Sequence, residues 1–98
     1  MILIVGGRGA GKREFAQKTL GCAPEKTLPD LQDWEPLPPL EELLGYEAVL
    51  CDEVGCGVVP LERKDRERRD AIGRLCCQLA REAQAVYRLQ CGLAMRLK

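Results

Sequence analysis

Histidine is missing from this chain of 98 residues, and no C-x-x-C pair occurs among its six cysteines, Cys22, Cys51, Cys56, Cys76, Cys77 and Cys91. These absences argue against a zinc site, which needs thiolates and imidazoles at ligand spacing, and leave no spacing signature for a zinc or disulfide framework. Cys51, Cys76 and Cys91 fall instead where apolar residues belong, as small hydrophobes in a reducing compartment. Nor is there an excess of either charge. Fifteen basic residues balance fifteen acidic ones, which excludes a general pull toward nucleic acid or anionic membrane, so any anion site must be local. No apolar run approaches the ~20 residues of a membrane span, and the opening residues show neither a basic n-region nor a cleavage site. The expectation is a cytoplasmic protein with no nucleic-acid and no membrane partner. No internal repeat is visible, and the length suits a single domain over residues 1–98.

What is present is an ordered opening. Ile2 to Val5 are apolar and mostly β-branched, a glycine-rich stretch follows, and Arg13 to Leu20 is patterned as a helix. Gly6, four residues and then Gly11-Lys12 fit the phosphate-binding loop G-x-x-x-x-G-K-[ST] up to its last letter. Glycines let backbone N–H groups turn toward an anion, the following helix adds its positive end, and the lysine reaches the outer phosphates. Gly6, Gly7, Arg8, Gly9, Ala10, Gly11, Lys12 and Arg13 are therefore the expected cradle for GTP or ATP. The competing reading is a tight turn between a buried strand and a helix. Arg13 departs from the motif, because a hydroxyl there ligates the Mg²⁺ that accompanies the phosphates. Arginine cannot ligate a cation, although it can contact a phosphate oxygen.

Further along, Gly21 is placed to cap the first helix. Residues 22–39 hold five of the six prolines, which predicts an ordered crossing loop pinned to the core by Trp34. Leu40 to Leu44 reads as a short helix and Ala48 to Cys51 as a buried strand ending in Asp52-Glu53. Ligands in open α/β sheets gather at the carboxyl ends of parallel strands, where Gly6 and Asp52 would both lie. After a loop shaped by Gly55, Gly57 and Pro60, a long helix from about Leu61 to Ala83 carries one apolar stripe, Ile72, Leu75, Cys76, Leu79, Ala80 and Ala83. Its first half is almost wholly charged. Val86 to Leu89 is a third strand, and Leu93 to Leu97 alternates like an edge strand that a second copy could cover, making a homo-oligomer possible. The predicted fold is α/β, a small three-layer P-loop NTPase-like (RecA-like) sandwich with a mostly parallel sheet of about four strands.

Glu53-Val-Gly-Cys-Gly-Val-Val-Pro60, followed by Arg63, Arg66, Arg69-Asp70, Gly73-Arg74 and Gln78, resembles the bifunctional adenosylcobinamide kinase / adenosylcobinamide-phosphate guanylyltransferase family. That family carries N-E-V-G-x-G-[IV]-V-P, then a helix with R-D-x-x-G-R and N-Q, and opens with a strand and G-G-x-x-S-G-K-S. The resemblance covers roughly residues 1–20 and 46–98, including the tail Met95-Arg-Leu-Lys98. It implies phosphorylation of adenosylcobinamide by a nucleoside triphosphate and then GMP transfer through a guanylylated histidine, in the making of adenosylcobalamin. With no histidine in the chain, the guanylyl half is expected to be absent. The family's longer middle, with a strand whose acidic end helps hold metal and substrate, is replaced here mostly by proline-rich loop. Asp52 stands at the family's Asn, and Cys77 at the Asn ahead of Gln78.

By this resemblance Lys12 would stabilise the transferred group, Asp52 or Glu53 would hold Mg²⁺ or orient the hydroxyl, and Arg69 or Arg74 would contact the triphosphate or the substrate. The alternative for the two arginines is pairing with nearby acids such as Asp70. Lys64 and Arg68 stand where family members can place apolar residues, and are expected to keep an uncovered helix soluble. The alternative to a kinase is a non-catalytic nucleotide- or anion-binding remnant that serves a partner or an assembly.

Overall fold

The computed structural model describes residues 1–53 and 62–98. The predicted glycine-proline loop at 55–60, the motif residues Val54 to Pro60 and the expected helix start at Leu61 lie outside the described residues. β1 (Ile2–Gly6) opens the fold, and the first helix starts as α1 (Lys12–Glu14) and widens without a break into a π turn over Phe15–Thr19. β2 (Thr27–Leu28), α2 (Leu40–Leu44), β3 (Ala48–Asp52), α3 (Arg63–Glu82), β4 (Ala85–Gln90) and β5 (Leu93–Arg96) follow. Among the described residues the strands form one five-stranded sheet in the order β2-β3-β1-β4-β5, parallel except for β5. β1 is central, with Gly6 level with Asp52 on one side and Leu89 on the other.

Both faces of the sheet are covered, which explains why β1 and β3 read as continuous apolar runs rather than alternating ones. Leu3, Val49, Cys51 and Val86 pack under α2 and α3 with Leu43, Ile72, Leu79 and Ala83. Ile4, Leu50 and Leu89 pack on the other face against Ala16 and Cys22, with Phe15 and Leu20 alongside. Gly21 caps the first helix as expected, in the left-handed conformation (φ 71°) that glycine adopts at little cost. Gly6 has to be glycine for another reason, since a Cβ there would meet the Leu89 carbonyl oxygen at 2.7 Å.

Four expectations are corrected. The sheet has five strands rather than about four, because the proline-rich stretch contributes β2, paired with β3 at Thr27↔Ala48 and Leu28↔Val49. Two residues flanked by prolines give no alternation to detect. Trp34 does not pin that stretch to the core. It is 44 % exposed, its indole N–H donates to the Pro29 carbonyl at 3.2 Å, and Leu28 and Leu31 serve as the anchors. Cys91 is exposed rather than apolar filling, in a left-handed turn between β4 and β5 (φ 52°). Lys64 is exposed, but Arg68 is not a solubilising charge. Its guanidinium donates to the carbonyls of Gln32 (2.9 Å) and Trp34 and lies 3.4 Å from the Glu35 carboxylate, so it ties the proline-rich stretch to α3.

Candidate functional site

At the carboxyl end of β1 the chain must leave the sheet and enter a helix within five residues, which the left-handed Gly9 (φ 78°) and Gly11 (φ 91°) permit. Gly7, Arg8, Gly9 and Gly11 are exposed at this bend, whereas Lys12 is 7 % exposed. The buried lysine is fully engaged. Its Nζ donates to Gly6 O (3.1 Å), Gly7 O (3.0 Å) and Asp52 Oδ1 (2.8 Å), which uses all three protons of the ammonium. Burial of such a charge is tolerable only with this complete set of partners.

Outside the lysine lies a cavity of about 500 Å³ lined by Gly9, Gly11, Lys12, Arg13, Lys18 and Asp30, among others. Asp30 follows β2 and Pro29, so the strand that sequence reading missed brings an acid to the cavity wall. It lies 3.8 Å from Arg13 Nη2, with both side chains more than half exposed. Lys18 pairs with Glu14 at 3.2 Å, four residues back. Ala10 N–H closes the bend on Gly7 O at 3.1 Å.

Asp52 and Glu53 are adjacent in sequence but part at the end of β3, because neighbouring side chains of an extended chain leave on opposite faces. Asp52 turns to Lys12 beside the first helix. Glu53 turns to Arg88, whose Nη2 donates to Oε2 at 3.2 Å. Arg88 Nε is 3.0 Å from Oε1, an ion-pair distance, yet its N–H is too poorly aligned for a hydrogen bond and has no other acceptor. The Glu53 amide donates to Gly6 O (3.0 Å) and the Asp52 amide to Gln32 Oε1 (2.8 Å).

The other two candidates stand elsewhere. Arg69 and Arg74 line a separate groove of about 600 Å³ along α3 with Asp70, Gly73, Gln78 and Arg81. None of these residues lines the cavity at the glycine bend. Arg74 is exposed and Arg69 half-buried.

Residues 41–97 match the family described as cobinamide kinase / cobinamide phosphate guanyltransferase, over more than half of the chain. The chain belongs to this family. No curated protein matches it. The match ties this cobinamide kinase/guanyltransferase relative to cobalamin biosynthesis, and it spans α2 to β5. The glycine bend lies outside the matched residues, so its reading rests on its own residue pattern and geometry.

Arg88, Gln32 and Asp30 escaped sequence reading. The one available signal was Arg88, a lone charge in the otherwise apolar run Ala85-Val-Tyr-Arg-Leu89. Gln32 and Asp30 sit in a stretch whose approach to β3 is set by long-range packing. No described helix is long and apolar enough to cross a membrane.

Cys22, Cys51 and Cys76 are partners of the core rather than of the bend. The Cys51 thiol is held above the ordinary thiol range, first by its hydrogen bond to Cys76 and then by burial. Burial, with the Glu47 charge, also raises Cys22.

Proposed function

We propose that this family member binds a nucleotide, GTP or ATP, through residues 6–13, and acts on the kinase side of the family's chemistry, phosphorylating adenosylcobinamide without guanylyl transfer. The P-loop NTPase-like arrangement of a single domain over residues 1–98 is part of this reading. One observation carries it: a buried lysine ammonium held on the Gly6 and Gly7 carbonyls, beside a cavity that left-handed glycines keep open. The lack of histidine supports loss of the guanylyl step, because the covalent route has no nucleophile.

Lys12 would leave Asp52 to stabilise the transferred phosphoryl group, since such transfers depend on positioning and charge neutralisation more than on covalent chemistry. The Asp52 carboxylate, once released, would orient the substrate hydroxyl and receive its proton. A second reading, a nucleotide-binding remnant acting through a partner, is favoured by the engagement of both acids, Asp52 by Lys12 and Glu53 by Arg88.

Thermal unfolding with GTP or ATP tests the binding. Ligand at 100 times its Kd adds ~2.7 kcal/mol, which in a domain this small raises Tm by ~4 to 8 °C per kcal/mol, and Lys12→Ala should abolish the rise. Formation of adenosylcobinamide phosphate from adenosylcobinamide and the nucleotide separates the kinase from the remnant.

A further inference from the structure

Nucleotides at glycine-lysine bends of this kind ordinarily arrive with Mg²⁺, held by a hydroxyl at the position after the lysine and by a nearby carboxylate. The residues present do not fit that ion. Position 13 is an arginine, which repels a cation instead of ligating it. Asp52, the carboxylate on the correct face, has the Lys12 ammonium 2.8 Å away in the ligand-free chain, so a dication at that oxygen competes with a buried lysine charge. Glu53 faces the other side of the sheet, toward Arg88. Among the described residues no group of three or more acids or cysteines could hold a metal ion.

We propose that Arg13 is the built-in counter-ion of this site, so that the phosphates bind free of divalent metal. This rests on the nucleotide reading above. Of the cations lining the cavity, Lys12 must first give up one of its three present partners to meet a phosphate, and Lys18 is paired along its own helix with Glu14. Among the described residues Arg13 is held by a long, solvent-exposed pairing with Asp30 at 3.8 Å, which an entering anion displaces readily. Its planar fork then grips two phosphate oxygens at once, a geometry a hydrated lysine does not reproduce. Asp30 keeps the guanidinium at the cavity wall until the anion arrives. Added Mg²⁺ competes with the arginine for the same oxygens.

The test is titration calorimetry of the full chain with GTP, and with ATP in parallel, in excess EDTA and in excess Mg²⁺. The wild type is expected to bind at least as tightly in EDTA as in Mg²⁺. Arg13→Ser is expected to lose roughly tenfold or more in EDTA, the worth of a bidentate charged contact, and to recover part of that loss in Mg²⁺. Arg13→Lys should keep metal-free binding at intermediate strength. Because the side chain is exposed, ligand-free Tm should be the same in all three proteins. Wild-type binding that needs Mg²⁺, or Arg13→Ser binding as tightly as the wild type in EDTA, overturns the counter-ion and leaves the nucleotide site standing. No binding of either nucleotide under either condition overturns both.

Discussion

Lys12 and Asp52, forty residues apart in sequence, meet at 2.8 Å across the carboxyl ends of β1 and β3. The register Gly6↔Asp52 brings them together, and the resulting ion pair holds the ammonium that any phosphate must recruit. Asp52→Asn keeps the shape and removes the charge. Stability should fall by roughly 1 to 3 kcal/mol, the range for a charged hydrogen bond, read as a lower Tm. Affinity for GTP should rise, because the ammonium is no longer shared with a carboxylate, and calorimetry reads that directly. An Asp52→Asn protein that binds GTP more weakly would mean that the carboxylate contributes to the bound state.

Gly11 and Gly7 make a matched pair for testing the bend. Gly11 has φ 91° and open space around it, so Gly11→Ala adds backbone strain and no clash. The left-handed conformation costs an alanine roughly 1 to 2 kcal/mol. Gly7 also has open space but needs no positive φ, and Gly7→Ala should stay within ~0.5 kcal/mol of the parent. Denaturant unfolding of the two variants checks the difference.

These residues show what was legible in the sequence. The bend, β1, β3 and α3 could be read because β-branched runs, glycine spacing and the apolar stripe from Ile72 to Ala83 are local signals. β2 was hidden by its two-residue length among prolines. The separation of Asp52 from Glu53 could have been anticipated from strand alternation, but Arg88 as the destination of Glu53 depends on how β4 lies beside β1. The loop-to-helix ties of Arg68 belong to the same long-range class.

Arg68→Ala should loosen the stretch that carries Trp34. The chain has a single tryptophan, so its emission is an unambiguous probe. The indole is already 44 % exposed, and a further red shift with faster acrylamide quenching is expected. The loss of stability should be about 1 kcal/mol, at the low end for a charged donor because the site is partly solvated. Unchanged quenching would show that Leu28 and Leu31 hold the stretch unaided.

Alkaline pH should destabilise the fold. Burial, with the Glu47 charge, raises the folded pKa of Cys22 above the ordinary thiol range, whereas the hydrogen bond that raises Cys51 lowers Cys76, so the two members of that pair oppose each other and Cys22 carries the net effect. Above roughly pH 8.5 the unfolded chain loses protons that the folded chain keeps, so the stabilisation present below that pH is lost as pH rises. Chemical denaturation at pH 7.5 and 9.5 should show the decline. At pH 8.5, peptide mapping after iodoacetamide treatment should find the exposed Cys77 and Cys91 modified and Cys51 protected.

The most direct measurement is a crystal structure of the chain with GTP, at a nucleotide concentration well above the Kd found by calorimetry. Phosphate oxygens should lie against the amides of the bend between Gly9 and Lys12, with Lys12 Nζ withdrawn from at least one of Gly6 O, Gly7 O and Asp52. A nucleotide seated in the α3 groove of Arg69 and Arg74, with Lys12 still bonded to all three of its present partners, would contradict the account.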